Sequence, residues 1–195
     1  RFRRVEELLD SLGKIGPESA ALILSDRRGA GGKDIGMCNQ LSINQLLAMH
    51  SVIFRPSARE IWVSTTPWQC GEFIRFRLDD ILDSPVPPYH RDSSKDIPED
   101  IFLHSESFRN LLKFKRSSAG IRSAISSGTE IPEDSISAYI GLNPLYYNAY
   151  NLAGDYFLAK GDEDNACELW KKSLTFEMKL QERNLIEKKI GRYKR

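Results

Sequence analysis

Apolar residues recur at helical spacing over residues 2–12, where Val5, Leu8, Leu9 and Leu12 fall on one face and Gly13 stops the run. Pro17 suits the first position of a second helix, GPESAALIL, with Ala20, Ala21 and Leu24 as its buried stripe. Residues 25–39, SDRRGAGGKDIGMCN, break that period and predict a long surface loop rich in glycine and charge. From Met49 the period becomes two. HSVIF sets His50, Val52 and Phe54 on one side and Ser51 and Ile53 on the other, residues 55–59 turn, and EIWVS is a second strand. After Thr66-Pro67, EFIRFRL places Ile74, Phe76 and Leu78 opposite Phe73, Arg75 and Arg77. These runs predict an antiparallel meander with one face buried.

Residues 83–100, DSPVPPYHRDSSKDIPED, are rich in proline and lack any period, so they predict a linker or a wrapping segment. The remainder, residues 101–195, reads as helical. Phe108, Leu111 and Leu112 open one helix, Pro132 with Glu133 and Asp134 opens a second that stops near Gly141, and Asn143-Pro144 supplies an N-cap and first position for a third. Residues 147–178 then carry the spacing of one helical repeat. With Tyr147 in first place, Tyr150, Gly154, Phe157, Ala166, Trp170 and Ser173 take the small and large positions of a tetratricopeptide-type repeat, and Gly161 takes its turn. Ser173 stands where alanine is usual, and residues 108–125 are a degenerate candidate for a neighbouring copy. A single repeat cannot bury its own apolar face, so this one must lean on something else. Met178, Leu185, Ile186 and Ile190 form the face of a closing helix.

The 195 residues, 41% hydrophobic and 28% charged, suffice for one or two packed cores, and a net charge of +1 gives no drive toward nucleic acid or an anionic membrane. No run of apolar residues is long enough to span a membrane. The chain begins at Arg1 rather than methionine, so further residues are expected upstream and the compartment is not readable from the leader. Cys38, Cys70 and Cys167, with His50, His90 and His104, are scattered, which argues against a metal site; no cofactor is implied. Cys38, in a glycine-rich loop, is a candidate nucleophile, set against an incidental thiol. The loop also invites a phosphate-cradle reading, but Gly31-Gly32-Lys33 is followed by Asp34, so the GxxxxGK[ST] spacing is missing. Trp62, Trp68 and Phe73 could cover a substrate or simply pack, and the basic tail EKKIGRYKR suits a solvated helix end.

The stretch INQLLAMHSVIFRPSAREIWVSTTPWQCGEFIRFRLDDIL (residues 43–82), after a polar SDR-G loop, resembles the C-terminal strands of acyl-coenzyme A:6-aminopenicillanic acid acyltransferase-like proteins, which are N-terminal-nucleophile hydrolases related to choloylglycine hydrolases. The helices that follow, with NPLYYNAYNLAGDYFLAKGD, resemble versions found in bacteria of the Bacteroides type. The resemblance implies an α+β fold: residues 1–82 as the C-terminal part of an αββα sandwich, 83–100 as a proline-rich linker, and 101–195 as a helical appendage with one tetratricopeptide-like repeat. It implies amide hydrolysis or acyl transfer to an amine by a cysteine freed at a new N-terminus through autoproteolysis, with a small amide or acyl substrate and a cytoplasmic or periplasmic bacterial setting. Residue 1 is arginine, so the nucleophile is expected upstream of Arg1; the partner is then the upstream portion of the same protein, and this chain is expected to be inactive alone. Asp26, Arg28, Asn39 and His50 are the candidates for the pocket rim, from loop placement and polarity. The alternative is a non-catalytic protein-interaction module built on the helical repeat.

Overall fold

In the computed structural model, which describes residues 1–83 and 92–193, the alternating runs form one antiparallel sheet in the order β1 (Val52–Arg55), β2 (Glu60–Ser64) and β3 (Phe73–Arg77). The fold is α+β, and the described residues divide into two compact units. The first comprises Arg1–Gly32 and Ser42–Ser105; the second comprises Lys33–Leu41 and Glu106–Arg195.

The first unit holds α1 (Phe2–Leu12), α2 (Pro17–Leu24), the sheet and α3 (Leu78–Asp83). Pro17 occupies the first turn of α2, where the Gly16 N–H donates to Ser19 Oγ at 2.7 Å. Register puts Ile53, Trp62 and Arg75 in one row, with Val52, Val63 and Ile74 in the next and Phe54, Ile61 and Phe76 in a third. Opposed residues share a face. One face therefore carries Ile53, Trp62 and Phe73 together with Glu60 and Arg75, which pair as ions. This mixed face is the one that packs: Ile53, Trp62 and Phe73 are buried with Ala21 of α2, and Ala20, Leu24 and Ile97 close the margin. Trp62 and Phe73 are thus core residues, and Trp62 Nε1 donates to the Lys95 carbonyl at 3.0 Å.

The other face is made of Val52, Phe54, Ile61, Val63, Ile74 and Phe76, all apolar, and none of the six is buried. Phe54 is 69% exposed. The strand that alternation begins near His50 starts at Val52, and His50 lies outside it, exposed. The stripe expected on α1 is likewise not buried, since no residue of that helix is. The outer edge of β3 is covered by the segment after residue 91: Phe73 and Ile97 exchange both backbone hydrogen bonds, and Asp96 accepts from the Arg75 N–H at 2.8 Å. Part of the expected linker therefore wraps the sheet, while residues 84–91, His90 among them, lie outside the described residues. β1 is the opposite edge.

The second unit contains α4 (Glu106–Ser127), α5 (Glu133–Gly141), α6 (Tyr147–Ala159), α7 (Glu163–Ser173) and α8 (Leu180–Tyr193). The segment expected to carry the repeat, residues 147–178, holds the packed helix pair α6–α7. Gly154 allows the close approach, because a Cβ there would lie 2.6 Å from the Trp170 ring. Trp170 is fully buried, donates to Asp155 Oδ1 at 3.1 Å, and Asp155 in turn accepts from Lys189 of α8 at 2.6 and 2.8 Å. Ser173, in place of alanine, donates its hydroxyl back to the Trp170 carbonyl at 2.7 Å. The neighbour this pair needs is α4 with α5, both packed on α6; Phe114 and Tyr139 stack at 4.8 Å.

Candidate functional site

The candidate rim residues fall in different places. Asp26 is held by Arg4 of α1 through two hydrogen bonds of 3.1 and 2.8 Å, and it accepts from the Arg28 N–H at 3.1 Å. Arg28 is exposed and donates to the Gly32 carbonyl at 3.1 Å. These two share one loop, whose glycines do not present a free anion cradle. The Gly31 N–H points at the Glu7 carboxylate, 2.8 and 3.0 Å from its two oxygens, and that bond, with Arg4 and Arg3 nearby, holds Glu7 below the usual carboxylate range. The anion that fills the loop is thus the chain's own side chain. His50 is exposed, and its carbonyl accepts from Gln69 at 3.3 Å. Asn39 belongs to the second unit and is fully buried.

Within the first unit a polar cluster lies around Cys70. Arg27 forms an ion pair with Asp100 at 2.5 Å and stacks over the Phe102 ring with its guanidinium carbon 4.1 Å from the centroid. Asp100 also caps Phe102 N–H at 2.9 Å and donates its own N–H to the Cys70 carbonyl at 2.8 Å. The Cys70 thiol, fully buried, lies 3.8 Å from the Asn44 amide nitrogen. Trp68 and Gln69, just before it, both have positive φ, an uncommon conformation for residues with side chains. Nothing in the local sequence announced the Arg27–Asp100 pair, because its members are far apart in the chain.

The thiols are poor nucleophiles as placed. Burial pushes the Cys38 and Cys70 pKa values up, against an opposing pull from Lys115 and Arg27 respectively. An activated thiol needs the reverse shift. Cys167 is buried inside α7. His104 is exposed and 2.7 Å from Glu99, an arrangement suited to the surface. Among the described residues no group of three or more His, Cys, Asp or Glu is placed to hold a metal ion, and no helix is long and apolar enough to cross a membrane.

The second half of the expected surface loop is only partly at the surface, with Lys33 and Asp34 exposed. In Lys33–Leu41, Ile35, Cys38 and Asn39 are buried. Asn39 Nδ2 donates to the Ile35 and Glu177 carbonyls, each at 2.9 Å, and its Oδ1 accepts from the Leu41 N–H at 3.0 Å. Asn143, expected to cap α6, instead pairs with both backbone groups of Met37: the Met37 N–H donates to Oδ1 at 3.0 Å, and Nδ2 donates to the Met37 carbonyl at 2.9 Å. The helix therefore starts later, with Tyr146 at its N-cap.

Comparison with family models, with curated proteins and with solved structures finds no match to this chain.

Proposed function

We propose that this chain is the C-terminal portion of a cysteine N-terminal-nucleophile amidohydrolase or acyltransferase, inactive alone, with its sheet as one half of an αββα sandwich. The observation that carries this reading is the inverted burial of the sheet. The mixed face is covered by α2, while the face made only of Val52, Phe54, Ile61, Val63, Ile74 and Phe76 is left partly exposed. An entirely apolar face is the one that gains most from burial. A second sheet stacked about 10 Å away would complete such a face. β1, as an edge strand, offers backbone groups for a further strand.

On this reading the upstream portion brings the other sheet and the nucleophile. The cysteine thiolate, its proton taken by its own α-amine, attacks the amide carbonyl; backbone N–H groups hold the oxyanion, the amine leaves with the proton, and water or a second amine releases the acyl group. The raised pKa values of Cys38 and Cys70 support placing the nucleophile outside this chain. The test is the protein carrying its upstream sequence. Mass spectrometry and N-terminal sequencing are expected to find a self-generated N-terminal cysteine that takes up the acyl group of a small activated ester, and its alanine variant is expected to stay uncleaved. A mature protein that hydrolyses amides without any such N-terminus would overturn the reading.

A further inference from the structure

The helical unit holds a turned piece of polypeptide, with positive φ at Gly36 and Cys38 and with Asn39 donating back to the Ile35 carbonyl. Lys33–Leu41 is flanked in sequence on both sides by residues of the sheet unit, yet it packs with the helices. Its recognition has the parts of a peptide site. Main chain is read by Asn143, itself buried, which satisfies both the N–H and the carbonyl of Met37. Side-chain anchors are Ile35, 2% exposed, and Asn39, fully buried, whose amide reaches the Glu177 carbonyl. The backbone at Gly36 comes so close to the turn before α6 that a Cβ would lie 2.6 Å from the Tyr146 nitrogen and 2.8 Å from the Leu145 carbonyl carbon; its φ is +77 as well. Only glycine meets both conditions, since neighbouring backbone cannot swing aside as a side chain can. One exposed ion pair adds to the fit, with Lys33 3.3 Å from Glu177.

We infer that the helical unit is a receptor for a turned peptide of the pattern Ile-Gly-Met-Cys-Asn, and that residues 33–41 are its ligand in cis. This stands independently of the reading of the sheet. A tethered ligand has an effective concentration in the millimolar range, so a free peptide of the same sequence cannot compete until the tethered one is expelled. Substituting Gly36→Ala together with Asn39→Ala removes the backbone fit and one anchor, and it leaves the helices and Asn143 untouched.

The experiment uses the full chain and a fluorescein-labelled KDIGMCNQL peptide, kept reduced and followed by anisotropy. The wild-type chain is expected not to bind it, and the double variant, with its helicity intact by circular dichroism, is expected to bind it. The same peptide with alanine for its glycine is expected to bind at least about tenfold more weakly. A helical double variant that binds neither peptide, or both alike, would overturn the inference, as would binding by the wild-type chain equal to that of the variant. Should the double variant lose its helicity, hydrogen exchange on the wild-type chain and on Asn143→Ala decides instead. The inference requires the Met37 amide to be protected in the first and several-fold faster in the second, with α6 amides unchanged; equal protection in both would contradict it.

Discussion

Tyr139, Tyr146 and Tyr147 are buried in the helical unit, and burial raises all three phenol pKa values, those of Tyr139 and Tyr147 to about 12. The unfolded chain releases these protons near the ordinary value of about 10. The folded state therefore binds more protons than the unfolded state above that pH, and stability falls as pH rises. The stabilising contribution is complete below about pH 10 and is lost as pH climbs through the folded value. Helicity at 222 nm is expected to collapse in that alkaline window together with the appearance of tyrosinate absorbance. The full tyrosinate absorbance of all seven tyrosines developing at the ordinary pH with the helices intact would contradict the burial described. The same scale shows where single residues outran local reading. Asn143 has the local look of an N-cap, and only the packed structure reveals that Met37's backbone claims its amide. Asn39, offered as a rim residue for its polarity, is buried because its amide satisfies two carbonyls and one N–H.

Among the elements, period carried most of the helices and all three strands. From Tyr147 the spacing of small and large residues falls on two helices, where Gly154, Ala166 and Trp170 pack together. What period could not supply was which face of the sheet meets the core. Hydrophobicity alone favours the face of Phe54 and Phe76, yet α2 lies on that of Ile53, Trp62 and Phe73. Nor could it show that Ile35, Cys38 and Asn39 are buried, since glycine and charge look the same in a surface loop and in a strap gripped through its backbone. This asymmetry predicts unequal costs. Ile53→Ala, at a buried site, is expected to destabilise the sheet unit by about 2–5 kcal/mol in urea titration. Phe54→Ser, on the uncovered face, is expected to stay within about 0.5 kcal/mol of wild type in the same titration. Equal costs would mean that both faces are covered in this chain.

For the molecule as a whole, the two units carry different kinds of incompleteness. In the helical unit α4 and α5 pack on α6, Lys189 of α8 pairs with Asp155, and Asn143 holds the Met37 backbone. In the sheet unit Phe2, Leu22, Leu47, Met49, Phe54, Leu82 and Ile101 are more than half exposed, and so are Leu180 and Leu185 of α8 in the helical unit. On the sheet unit, the wholly apolar face that carries Phe54, Ile61 and Phe76 is the one a partner would cover. On the proposed function that partner is the upstream portion of the same protein, stacked as a second sheet. Hydroxyl-radical footprinting, read by mass spectrometry, tests this most directly when this 195-residue chain is compared with the protein carrying its upstream sequence. Phe54, Ile61 and Phe76 are predicted to be labelled several-fold less in the longer protein, with Leu180 and Leu185 of α8 unchanged; equal labelling of the sheet face in both would contradict the account.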